Sequence, residues 1–95
     1  MRQITKEAVD AFMDGRRYKK NNMEVLSNCM YLHNNKIAWF DNNNQLWISN
    51  CGWKSNTTKE RLNALPNVNI IQRNYTWFLN GVDWDGRPIC IGRLN

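Results

Sequence analysis

Asparagine constrains this chain more than any other feature. Sixteen residues are Asn, several of them clustered as Asn21-Asn22, Asn34-Asn35 and Asn42-Asn43-Asn44. Apart from glycine, Asn is the residue that most readily enters the left-handed backbone region, and its side chain closes local turns. Asn can also read base edges, but clusters between apolar segments mark reversals of the chain first. The segments between them are short and read as an antiparallel meander with rings scattered along it.

Residues 5–14 predict a helix. Thr5 suits its start, and Ile4, Ala8, Val9, Phe12 and Met13 fall on one stripe. Gly15 is a natural stop. After the basic run that follows, Val25-Leu26 is a short extended piece. Met30-Tyr31-Leu32 and Ile37-Ala38-Trp39-Phe40 flank a hairpin turn at Asn34-Asn35. Asp41–Asn44 turns the chain again into Gln45-Leu46-Trp47-Ile48-Ser49. A loop over residues 50–56 leads to a short second helix. There Thr57 and Glu60 have capping-box spacing, Leu62 and Leu65 form the buried side, and Pro66 stops the helix. Residues 68–73 and 76–79 are further strands around a turn near Asn74. Asn80-Gly81 and Asp85-Gly86 are turn signals, and Pro88-Ile89-Cys90-Ile91 reads as an edge strand. The expected fold is α+β, order α-β-β-β-α-β-β(-β), with two helices packed on one face of an antiparallel sheet, as a single domain over 1–95.

Adjacent strand residues point to opposite faces. Trp39 beside Phe40, Trp47 between Leu46 and Ile48, and Trp77 beside Phe78 therefore place apolar groups on both faces. Either the sheet curls around a second small core, or it presents a ligand or dimer surface.

The formal charge is +5. That suits an acidic partner such as nucleic acid, a nucleotide or an acidic protein patch, or it simply keeps a small protein soluble. The opening residues lack the apolar stretch of a signal peptide, and no apolar run approaches a membrane span. The three cysteines, Cys29, Cys51 and Cys90, are too few and too odd in number for a disulfide framework. The expected compartment is the cytoplasm.

Tyr31-Leu32-His33-Asn34-Asn35-Lys36-Ile37-Ala38 resembles small accessory proteins of tailed bacteriophages. So do Ile48-Ser49-Asn50-Cys51-Gly52-Trp53, the segment Asn56–Leu65, and Trp77-Phe78-Leu79-Asn80-Gly81. With the opening helix, the likeness covers most of the chain. It implies a viral origin and expression inside an infected bacterium, and it carries no mechanism and no catalytic residues. Proteins of this class often block a host process or an antiviral defence system. Asn35 departs from the pattern, standing where the resemblance leads one to expect a hairpin glycine.

Two segments are candidates for binding an anion. Arg16, Arg17, Tyr18, Lys19 and Lys20 place four cations in five residues. They could straddle phosphates with the ring on a base, or serve as a solvated connector at a helix end. At the start of the second helix, Ser55, Asn56, Thr57 and Thr58 supply hydroxyls and an amide beside free backbone N–H groups, with Lys54, Lys59 and Arg61 adding charge. Ordinary capping accounts for Thr57 and Glu60 equally well, and Glu60 would repel a nearby anion. Trp39, Trp47, Trp53 and Trp77 are aromatic contact candidates.

Other chemistry is weaker. Cys29, His33, Cys51 and Cys90 could form a zinc set, but there is no Cys-x-x-Cys pair. Asp83 and Asp85 could hold Mg²⁺, but beside Gly86 they read as turn residues. A likeness to the double-stranded-RNA-binding order fails on the short second helix. With a single His and no phosphate-cradling loop, nucleophile elbow or triad, the expectation is no enzyme, no metal and no cofactor. The chain is expected to bind nucleic acid or a nucleotide through a basic face, countering a host process or antiviral defence. The alternative is a protein–protein inhibitor of a host defence complex, and self-association into a homodimer is a further option.

Overall fold

The computed structural model describes residues 2–93. The order is α1 (Gln3–Asp14), β1 (Tyr18–Lys20), β2 (Met23–Leu26), β3 (Cys29–Leu32), β4 (Asn35–Phe40), β5 (Gln45–Ile48), α2 (Asn56–Asn63), β6 (Ile70–Arg73), β7 (Thr76–Leu79), β8 (Val82–Asp83) and β9 (Ile89–Arg93). The α+β class and the antiparallel sheet with both helices on one face are as expected. Strands β1 to β5 form a meander and β9 pairs with β5, giving a six-stranded sheet. Strands β6, β7 and β8 form a separate three-stranded sheet, a division the sequence pattern did not reveal.

Asparagine does what its chemistry predicts. Seven Asn residues (21, 28, 34, 44, 67, 74 and 80) have positive φ. Ser27-Asn28, His33-Asn34, Asn74-Tyr75 and Asn80-Gly81 each have positive φ at both positions, the geometry of tight hairpin turns. The first β3–β4 turn residue is thus His33, one position earlier than expected, and Asn35 opens β4. The glycine expected at Asn35 is not needed there, because that residue lies outside the turn.

α1 begins at Gln3, not Thr5. Arg2 occupies the capping position with no side-chain bond, and Thr5 is buried inside the helix. Gly15, at φ 71°, ends the helix as expected. The N–H of Arg16 reaches the Ala11 carbonyl at 2.8 Å, closing the terminal turn. In α2 the cap is Ser55, whose Oγ accepts from the Thr58 N–H at 3.1 Å. The expected Thr57–Glu60 box does not form, because the cap lies two residues earlier and Glu60 turns toward α1.

There Thr5 Oγ1 donates to Glu60 at 2.7 Å and accepts from Arg61 Nη1 at 2.7 Å, while Arg61 also bonds Glu60. Burial pushes the Glu60 carboxyl up, but the bonds from Thr5 and Arg61 outweigh it and hold the group below its ordinary range. This cluster ties the two helices together on the inner side of the large sheet. The core beneath them runs from Ala8 and Phe12 through Met23, Met30, Ile37, Leu46 and Ile48 to Trp77 and Trp84. Phe12 stacks on Phe40 with ring centroids 4.8 Å apart.

Candidate functional site

The outer face of the large sheet is covered by neither helix, and the strand registers sort its side chains into two cross-strand rows. One row runs Lys19, Glu24, Tyr31, Lys36. The next runs Leu26, Cys29, Trp39, Trp47, Cys90. Gln45 and Arg93 form a further pair. The inward positions of the same strands, Met23, Val25, Met30, Leu32, Leu46 and Ile48, are buried. Alternation therefore separates a dry face from a ring-bearing outer one.

A bulge completes the outer face. Met30 pairs Ala38 while Tyr31 pairs Lys36, so Ile37 is an extra residue in β4. Ile37 and Ala38 are both buried, and Lys36 and Trp39, three apart, come to share the outer face. Lys36 Nζ lies 4.7 Å from the Trp39 ring centroid. Trp39 and Trp47 are stacked with centroids 6.2 Å apart and planes 9° from parallel. Trp47 is held further by Asp41, whose Oδ2 accepts from the indole Nε1 at 2.8 Å. Bonds from the Gln45 backbone and then from Trp47 keep the Asp41 carboxyl below its ordinary range, so it stays ionised. The Cys29 thiol beside Tyr31, reinforced by burial, raises the Tyr31 hydroxyl and keeps it a hydrogen-bond donor. Tyr31, Trp39 and Trp47 are all half-buried, and Lys19, Lys36 and Arg93 are exposed.

The basic run does not form a patch. Its last three residues are strand β1, so their side chains alternate: Lys19 lies opposite Glu24 on the outer face, and Lys20 turns inward to within 3.9 Å of Glu7. Tyr18 packs against the core and its hydroxyl donates to Glu7 at 2.9 Å, which takes it away from base stacking. Arg16 pairs with Asp14 at 3.2 Å, and Arg17 is exposed.

At α2, Arg61 is 1% exposed and Thr58 1%, so neither offers its side chain to a ligand. Lys59 reaches Gln72, Lys54 reaches the Tyr75 carbonyl, Asn56 is exposed and Thr57 is half-buried. Trp77 is wholly buried against Trp84 and is not a contact residue. Trp53 is the most exposed of the candidate rings, at 61%. Among the described residues five of the thirteen cations, Lys6, Arg16, Lys20, Arg61 and Arg87, have carboxylate partners, and they are spread over several elements. Nothing in the sequence pattern marked Lys36, Tyr31 or Arg93 as neighbours on this face. Trp39 and Trp47 being at period-two positions was the available signal, but the bulge that brings Lys36 to them leaves no mark in the pattern.

The family model for the Kyanoviridae Gp96 protein matches residues 1–93. The chain belongs to this phage family. The phage resemblance carried by Tyr31–Ala38 and the segments after it is thereby borne out. No curated protein and no solved structure matches the chain. In this Gp96-family chain no helix among the described residues is long and apolar enough to cross a membrane.

Proposed function

We propose that this Gp96-family chain is a non-enzymatic protein that binds single-stranded nucleic acid on the outer face of its large sheet, in the cytoplasm of the infected cell. The observation that carries this reading is the cluster of Tyr31, Trp39 and Trp47 with Lys36 set against Trp39. Every base has a π-face, so rings on a sheet accept bases in any sequence, while neighbouring cations hold the connecting phosphates. Lys19 and Arg93 extend the positive charge to either side, and Glu24 offsets part of it. A duplex, with its bases stacked inside, would gain nothing from the rings.

The test is fluorescence anisotropy with a labelled single-stranded oligonucleotide, across a salt series. Three phosphate contacts, from Lys19, Lys36 and Arg93, predict that log affinity falls against log salt with a slope of about 2. Trp47→Ala should weaken binding by about tenfold, the scale of one lost stacking contact. Salt-independent binding, or equal preference for duplex, would count against the proposal.

A second reading is favoured by one observation. The row Leu26, Cys29, Trp39, Trp47, Cys90 carries no charge, which suits the apolar centre of a protein interface. On that reading the chain inhibits a host defence complex. One stoichiometric host protein, retained by the parent chain and lost with Trp39→Asp, would support it over nucleic acid.

A further inference from the structure

We propose that a single strand bound on the outer face continues past Lys36 around the end of the large sheet, onto a second contact surface made by Trp53, Lys54, Arg73 and Tyr75. This rests on the outer-face reading and extends it to the tips of two turns.

Contacts link the two surfaces step by step. Lys36 lies over Trp39 on the outer face, and its backbone carbonyl accepts from the Cys51 thiol at 2.9 Å. Cys51 and Gly52 both have positive φ, and the Trp53 N–H donates to the Asn50 carbonyl at 2.8 Å, so a tight turn fixes the base of Trp53 beside β4. Lys54 Nζ then donates to the Tyr75 carbonyl at 3.5 Å, which brings in the β6–β7 turn. Trp53 also shares a recess with His33 and Asn35, so it stands at the end of the sheet where β3 turns into β4. A flexible single strand can follow such a corner. A duplex, with a persistence length of about 50 nm, cannot.

The rings and the charges of this surface both point to a ligand. Trp53 is 61% exposed and Tyr75 87%, the most exposed rings among the described residues. Tyr75 also has φ +67°, a region that a bulky side chain enters only with strain. So exposed a ring gains little packing in return, and glycine would stand there unstrained. A base stacked on the ring gives tyrosine a use at that position. Lys36, Lys54 and Arg73 are exposed, and none has a carboxylate partner among the described residues. Arg73 flanks the Tyr75 turn, opposite Thr76. Unpaired cations beside open rings complement the phosphates and bases of one strand.

The experiment follows the indole resonances of ¹⁵N-labelled protein as an oligothymidylate of about 16 nucleotides is added, at the upper end of the site sizes that one small fold covers. Even at a stacked rise of about 3.4 Å per nucleotide it outreaches the 36 Å length of the molecule. Trp53 should shift together with Trp39 and Trp47. Phosphate contacts from Lys54 and Arg73 should raise the salt slope from about 2 to about 3.5, and replacing both by Ala should return it to about 2. Tyr75→Gly should weaken binding about tenfold without lowering Tm, whereas a merely structural ring would lower Tm when removed. Trp39 and Trp47 shifting with Trp53 fixed would overturn this proposal and leave the outer-face reading standing. Unchanged affinity in Tyr75→Gly would overturn it too. Trp53 shifting alone would overturn the outer-face reading and the continuous path with it, and so would no shift at any of the three.

Discussion

Arg61 shows how a residue's surroundings decide its role. In the sequence it is one more cation beside a helix start. In the structure it is buried, and Thr5 and Glu60 satisfy its Nη1 while its Nε has no partner among the described residues. Removing one member of such a set strands the others. Arg61→Ala should therefore cost about 3 kcal/mol or more in chemical denaturation. Thr5→Val should cost about 1–3 kcal/mol, because it removes one hydroxyl that both donates and accepts. Gly86 is a second such position. At φ +89° it lies where L side chains rarely go, and an added Cβ would meet the Asn50 carboxamide at 2.1 Å. Gly86→Ala should lower Tm by more than an ordinary surface change does, and would also displace the Asn50 side chain. Neither role was legible beforehand, since both rest on partners distant in the chain: 56 residues for Thr5 and Arg61.

At the scale of elements, turn chemistry was the most readable signal. Asn34, Asn74 and Asn80 announce their hairpins because few other residues tolerate φ > 0. Substituting Asn34 by Val should destabilise the β3–β4 hairpin by about 1–2 kcal/mol, whereas Asn34→Gly should be close to neutral. The basic run was harder to read as a strand. Lys forms strands poorly on its own, and β1 exists because β2 pairs with it and Tyr18 packs against the core and bonds Glu7 of α1. The β4–β5 turn carries its own pH dependence. Asp41 accepts from the backbone of Asn43 and Gln45 and from the Trp47 indole. Its folded pKa is lowered, so its contribution is fully present above the unfolded carboxylate value and is lost as pH falls through the folded one. The Trp47 indole resonance should therefore shift on acidification, and Asp41→Asn should abolish that shift at constant fold.

Across the whole molecule, the fold class could be read from helix stripes and turn spacing, but the distribution of charge could not. Thirteen cations suggest a basic face, yet strand alternation splits the densest run and carboxylates hold five of them. Three-dimensional pairing gives instead a modestly charged sheet face on which half-buried rings lie beside Lys36. That face is the basis of the functional reading. The five tryptophan indole resonances test it most directly. On addition of a single-stranded oligonucleotide, Trp39 and Trp47 should shift while the buried Trp77 and Trp84 stay fixed. Shifts at neither Trp39 nor Trp47, with the protein folded and the strand in excess, would contradict the account.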